Sequence, residues 1–177
     1  QRTAAGPGQI ILGDATHIPE LGGNVTIQIR TNRLKLPNGA NVTSGANVII
    51  QRNDAATENG LIDRQGGILD VNSNGILDIT NMRITNTAAG GVTVNGTLRT
   101  SNTGGLNGAG SAIVDGALTI NDGSTIDYYA TLDQTISSAP NYYNITFSGS
   151  GTKTPQNAIS VNTNGTVRIT GTPIVDF

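Results

Sequence analysis

Asn74-Gly75-Ile76-Leu77-Asp78-Ile79, Asn95-Gly96-Thr97-Leu98-Arg99-Thr100 and Asp115-Gly116-Ala117-Leu118-Thr119-Ile120 are three versions of one string, with turn residues 21 and then 20 positions apart. After each glycine the second and fourth positions are mostly branched apolar residues and the third is polar, which is the period-two signature of a strand with one face buried. A fourth version, Asn164-Gly165-Thr166-Val167-Arg168-Ile169, follows later. One strand per roughly 20 residues marks a solenoid, in which each coil carries the same strand at the same place. In register, Leu77, Leu98, Leu118 and Val167 form one inward ladder and Ile79, Thr100, Ile120 and Ile169 a second. Asp78, Arg99, Thr119 and Arg168 then point outward. Asp78 and Arg99 become neighbours in an exposed pair worth under ~1 kcal/mol. On this reading Leu98→Asp abolishes folding and Arg99→Ala is nearly silent.

The pattern extends in both directions. Val25, Ile27 and Ile29 alternate with Thr26, Gln28 and Arg30, and Asn47-Val48-Ile49-Ile50 starts 23 residues after Asn24. Leu34 and Leu36 precede the turn Pro37-Asn38-Gly39. The segment 101–110 is rich in Gly and Asn and is assigned to the loop side of one coil, because Asn95 and Asp115 keep the repeat spacing across it. Asn-Gly and Asp-Gly suit sharp corners because these residues tolerate positive φ. Residues 1–8 lack periodicity and form an N-terminal arm, leaving 9–177 as a single β-solenoid domain. Parallel strands joined by crossovers take a right-handed sense. The expected fold is therefore all-β, a right-handed parallel β-helix of about seven to eight coils, with a β-sandwich as the runner-up.

Composition agrees with strands and narrows the function. The chain has 177 residues, 24 of them Gly, with 12% charged residues, a net charge of −2, no Cys and no Trp. Such a charge set holds no basic field for a nucleic-acid backbone, and no apolar run reaches the roughly 20 residues of a membrane span. The absence of Cys removes disulfides, thiolate metal sites and thiol nucleophiles. No cofactor or metal is expected. The single His17 lies in Asp14-Ala15-Thr16-His17-Ile18-Pro19-Glu20, a thin oxygen-rich cluster that reads as a solvated turn. Asp63, Asp70 and Asp78 are candidates for one acidic face, and the polar segment 52–60 reads as an excursion from one coil.

Residues 134–154 carry a more specific signal. Gln134-Thr135-Ile136 is followed by Asn141-Tyr142-Tyr143-Asn144-Ile145-Thr146-Phe147 and Ser148-Gly149-Ser150-Gly151-Thr152-Lys153-Thr154. This resembles a segment of repetitive parallel β-helical surface and adhesin-like proteins of Bacteroidetes and related bacteria. The resemblance implies export, a structural or adhesin-like role at the cell surface, and no catalysis. A start at Gln1 agrees with a processed, secreted chain.

Two functional expectations follow. In the first, the protein is a non-enzymatic extracellular β-solenoid subunit that stacks head to tail with copies of itself into a filament or surface fibre. Its interface would involve Ile10, Ile11 and Leu12 at one end and Ile174, Val175 and Phe177 at the other, since solenoid ends expose unpaired strand edges. In the second, it is an adhesin or glycan-binding module in which Tyr128, Tyr129, Tyr142 and Tyr143 supply ring faces for surface glycans.

Overall fold

The computed structural model describes residues 9–11, 19–29, 33–36, 40–52, 61–63, 68–85, 91–106, 117–138 and 141–176. The 1–8 arm, Leu12, His17, residues 53–60 and Phe177 lie outside the described residues. The regular structure within them consists of short strands, without a helix.

The chain begins with β1 (Gln9–Ile11) and then repeats one circuit. The first three circuits are β2 (Glu20–Leu21), β3 (Asn24–Ile29) and β4 (Arg33–Lys35); β5 (Asn41–Val42), β6 (Asn47–Arg52) and β7 (Leu61–Asp63); and β8 (Leu69–Val71), β9 (Ile76–Asp78) and β10 (Arg83–Thr85). The next two are β11 (Gly91–Val94) with β12 (Thr97–Thr100), and β13 (Ala117–Ile120) with β14 (Thr125–Tyr128) and β15 (Gln134–Ile136). The last are β16 (Asn144–Phe147) with β17 (Thr152–Pro155), and β18 (Val167–Ile169) with β19 (Ile174–Val175).

Strands pair with their counterparts on neighbouring circuits, and every pairing is parallel. They form a seven-stranded sheet (β3-β6-β9-β12-β14-β16-β18), a five-stranded sheet (β2-β5-β8-β11-β13), a four-stranded sheet (β1-β4-β7-β10) and a three-stranded sheet (β15-β17-β19). This is a parallel β-solenoid. The β-sandwich, which is built from antiparallel sheets, finds no support. Five circuits carry a strand on both the five- and the seven-stranded faces, so the regular part has about five turns rather than seven or eight. In the last two circuits the strand preceding the seven-stranded face shrinks to a single bridge, Tyr142 to Val161.

The register departs from a strict 20-residue repeat at two places on the seven-stranded sheet, and at the first β6 pairs with β9, Asn47 facing Ile76, 29 positions on. At the second β12 pairs with β14, so that Arg99 faces Asp127, 28 positions on. The Ala117–Ile120 version of the repeat lies on the five-stranded sheet, with Leu118 beside Val92 and Ile120 beside Val94. Residues 101–106 are wall rather than external loop. Asn102 and Leu106 are buried there, the Asn102 amide donates to the Asn81 carbonyl, and Thr103 and the Leu106 N–H bond to Thr135 and Ser137. Sixteen residues (101–116) lie between β12 and β13, against twelve (79–90) between β9 and β11, and after this longer path the third string lies on a different face.

The inward ladder of the seven-stranded sheet is therefore Val48, Leu77, Leu98, Ile126 and Ile145, all fully buried. Beside it run Ile50, Ile79, Thr100, Tyr128 and Phe147, likewise fully buried. One coil cannot bury such a face by itself; each rung is covered by its neighbours, so stability is a sum of coil and neighbour terms.

The corner glycines of the repeat serve a purpose different from the one the sequence suggests. Gly75, Gly96 and Gly165 do not have positive φ; at the Asn74-Gly75 corner it is Asn74 that adopts the left-handed conformation, with φ 58°. At Gly96 a Cβ would overlap the carbonyl oxygens of Gly75 and Asn72 on the preceding corner. The glycine is there because two backbones pass too closely for a side chain. Gly45, by contrast, has φ 76° and open space around it. Gly96→Ala is expected to cost about 3 kcal/mol or more, the upper range for overpacking, because backbone must move. Gly45→Ala should cost only about 1–2 kcal/mol of left-handed strain. Urea unfolding of the two variants checks the order.

Candidate functional site

The outward ladder of the seven-stranded sheet carries the densest polar chemistry among the described residues. Arg99 on β12 lies between Asp78 on β9 and Asp127 on β14, with Nε 2.9 Å from one Asp127 oxygen and Nη1 3.4 Å from an Asp78 oxygen. The Tyr129 ring lies 4.5 Å from the guanidinium carbon, and its hydroxyl donates to Asp78 at 2.6 Å. The Thr80 N–H donates to the same Asp78 oxygen, and the Ser148 hydroxyl donates to Asp127 at 2.6 Å. Both carboxylates are buried under this cover, so the pair foreseen as exposed is a largely desolvated triad. Burial opposes the charge on Arg99, but hydrogen bonding to Asp127 and the charges of Asp127 and Asp78 outweigh it and raise its pKa. Both carboxylates have their partners within the wall, so this pair does not offer the free acid and base that glycoside hydrolysis needs. Asp63, Asp70 and Asp78 do not share a face either. They lie on β7, β8 and β9, in three different sheets.

The four tyrosines separate into different roles. Tyr128 and Tyr142 are fully buried, their hydroxyls 2.7 Å apart and their rings edge to face, and Tyr142 donates to the Ser137 carbonyl. Their rings cannot meet a sugar, which corrects the aromatic platform expected from the sequence. Tyr129 covers the triad. Tyr143 is half-buried at the surface, in a cleft with Asp122 and Asn164. The alternation of Asn141 to Phe147 gives Tyr142 an inward place, a signal the sequence contained; the cover provided by Tyr129 had none, because it depends on the 28-residue circuit.

The stretch 134–154 runs from β15 through β16 into β17, and two of its buried polar side chains bond to backbone carbonyls. The Gln134 amide donates to the carbonyls of Thr100 and Asn102 and accepts from the Ala130 N–H. Lys153, its partner in register, is fully buried with Nζ 2.7 Å from the Ala130 carbonyl and 2.9 Å from that of Ser150. Burial lowers the Lys153 pKa. Gly149 and Gly151 adopt φ of 75° and 71° where the corner between β16 and β17 stacks on the one before it. No family model, curated protein or solved structure matches the chain. The resemblance to Bacteroidetes surface proteins thus rests on these residues alone, of which Gln134, Tyr142, Phe147 and Lys153 are buried in the wall.

The remaining candidates are the end rungs. Ile10 and Ile11 belong to β1, the outermost strand of the four-stranded sheet, and Ile174 and Val175 form β19, outermost in the three-stranded sheet. Ile174 is exposed, while Val175 continues the ladder of Gln134 and Lys153. More informative are four residues absent from the sequence-based set. Val25 and Ile27 on β3 stack on buried Val48 and Ile50, and Val167 and Ile169 on β18 stack on buried Ile145 and Phe147. Their side chains continue the core ladders, yet Val25 is 37%, Val167 52% and Ile169 55% exposed. Among the described residues nothing covers the outer side of either rung.

Two measurements follow from the triad and the tyrosines. Arg99→Ala strips the cation from two buried carboxylates and is expected to cost about 1–3 kcal/mol rather than nothing, read as a shift in the urea midpoint. The tyrosine pKa values are raised from 10.0: Tyr128 to about 12 by burial, Tyr142 by burial and by the adjoining Tyr128, and Tyr129 by burial and by Asp78. Below pH 10 these protons stay on in both states; above it the unfolded chain releases them first, so stability falls. Lys153 acts in the opposite sense as pH approaches 10.5, but it is one group against three. The unfolding midpoint should drop above pH 10.5, with the drop reduced in Tyr142→Phe.

Proposed function

We propose that the protein is a non-enzymatic structural β-solenoid of the cell exterior whose copies stack head to tail into a fibre. The observation that carries this reading is the pair of open rungs. Val25 and Ile27 at one end, and Val167 and Ile169 at the other, are spaced two residues apart on the same seven-stranded face; Val25, Val167 and Ile169 are exposed and Ile27 is half-buried. A second copy placed with its β3 on β18 sets Val25 over Val167 and Ile27 over Ile169. The same register brings Thr26 beside Arg168 outside, an uncharged neighbour for the cation. Because the two ends differ, the contact is heterologous and does not close on itself, which is the geometry of a filament.

Magnitudes set the character of the stack. Full burial of a Val or Ile is worth about 1.5–3 kcal/mol, and these four side chains are already partly covered, which leaves roughly half of that for each. Association costs about 4–15 kcal/mol in lost freedom, so the apolar term alone does not hold two copies together. Backbone bonds along the new rung, about 0.5–1.5 kcal/mol each, have to contribute. The expected assembly is therefore reversible and grows with concentration. The saturated Asp78–Arg99–Asp127 triad supports the non-enzymatic part of the reading, and the resemblance of residues 134–154 supports the exterior location.

Sedimentation and negative-stain electron microscopy over a concentration series test the proposal. The expected result is rods that lengthen with concentration, and a shift to monomers in Val167→Asp/Ile169→Asp with the far-ultraviolet spectrum retained. A wild-type chain that stays monomeric at its highest soluble concentration would falsify it.

A further inference from the structure

We infer that the corner between the five- and seven-stranded faces is a binding groove for a neutral, polyhydroxylated ligand, namely a short uncharged oligosaccharide. Successive circuits place Ser73-Asn74, Asn95-Gly96, Asp122-Gly123, Tyr143 and Thr163-Asn164 on this edge. Two recesses open along it. One, of about 400 Å3, is bordered by Asn74, Asn95, Thr97 and Asp122. The other, of about 430 Å3, is bordered by Asp122, Tyr143, Ser160, Asn162 and Asn164. Each falls within the roughly 300–1,000 Å3 usual for small-ligand sites, and they meet at Asp122. With rungs ~4.8 Å apart, the five circuits span about 19 Å along the axis, the reach of a chain of several sugars rather than of one.

The chemistry of the lining selects the ligand. Asn and Ser/Thr side chains both donate and accept, as sugar hydroxyls do. Asp122 is exposed, and among the described residues its carboxylate has no hydrogen bond or ion pair, unlike Asp78 and Asp127. A free carboxylate can accept from two adjacent hydroxyls. The Tyr143 ring adds an amphipathic surface with an apolar body and a polar tip. No Lys or Arg borders either recess. That composition disfavours phosphorylated, sulfated or uronic-acid chains, which Asp122 would repel.

The corner is held in advance. The Asn121 amide donates to the Asn95 side-chain oxygen at 2.8 Å, and the Ser124 hydroxyl donates to the Asn121 carbonyl at 2.6 Å. On the far side of the groove the Thr166 hydroxyl and N–H both donate to the Asn144 side-chain oxygen. Groups fixed by such bonds lose little freedom when a ligand arrives.

Calorimetric titration of the whole chain tests the inference, with neutral gluco-, manno-, galacto- and chito-oligosaccharides as probes and oligogalacturonate as the acidic comparison. Binding of at least one neutral probe, weakened roughly tenfold or more by Asp122→Asn and by Tyr143→Ala at unchanged melting temperature, is expected; tenfold corresponds to about 1.4 kcal/mol. Tyr129→Phe, on the next face, should leave binding intact. Three outcomes would overturn the inference: no neutral probe binding, binding indifferent to Asp122→Asn, or preference for oligogalacturonate. None of them bears on end-to-end stacking, which involves other residues.

Discussion

The constraint on which the rest depends is the parallel, in-register stacking of one circuit on the next at about 4.8 Å. It makes each residue the neighbour of its counterpart above and below, so no position is chosen alone. Inward, this yields the aliphatic ladder from Val48 to Ile145. Outward, it brings ionic side chains within contact of each other, and like charges directly opposite are destabilising. Asp78, Arg99 and Asp127 alternate in sign for that reason, and the one cation serves two carboxylates. At the corners the same spacing leaves no room for a Cβ at Gly96, whatever its φ.

Stacking also decides which polar groups are buried. A wall that turns three times per circuit points some carbonyls and N–H groups away from its ladders, and buried ones must find partners. Thr100, Asn102, Gln134 and Lys153 are buried for this purpose. The Thr100 hydroxyl accepts from the Asn102 N–H, whose side chain reaches the Asn81 carbonyl and the Gly104 N–H, while Gln134 and Lys153 take up the carbonyls of the following corner. A buried lysine with no carboxylate in contact would be costly as an isolated charge. Two carbonyl acceptors and a lowered pKa reduce that cost. The most conspicuous motif in the sequence is thereby accounted for by backbone satisfaction.

The sequence disclosed the period-two strands, their parallel stacking, the inward and outward assignments of Leu77, Leu98 and Val167, and the adjacency of Asp78 to Arg99. These are local patterns, and a strand repeats them wherever it lies. It did not disclose which strand stacks on which once circuit length changed. Ala117–Ile120 looks like β12 in composition but pairs with β11, because a string of alternating residues fits any wall of a solenoid equally well. The length of the path between strings decides, and residues 101–106 gave no apolar pattern beyond Leu106 to show that they form wall. The burial of Asp78 and Asp127 and the role of Tyr129 follow from that displaced register and were illegible for the same reason. Tyr142 is the opposite case, since the alternation of residues 141–147 already gave it an inward place.

Where free chemistry survives is itself a consequence of the fold. On a wall a side chain between two rungs has counterparts on both sides, and around Arg99 these pair the charges. A rung at the end has a counterpart on one side only, which is why Val167 and Ile169 are half exposed while their partners Ile145 and Phe147 are fully buried. A corner is the other place where saturation fails, because circuits of unequal length put unlike residues on neighbouring levels. The corner between β13 and β14 has four residues (121–124) where the corner before it has two (95–96); Asn121 bonds to Asn95, and Asp122 has no partner among the described residues. The unequal length of successive corners is thus what leaves Asp122 as the free group on which the proposed ligand site rests.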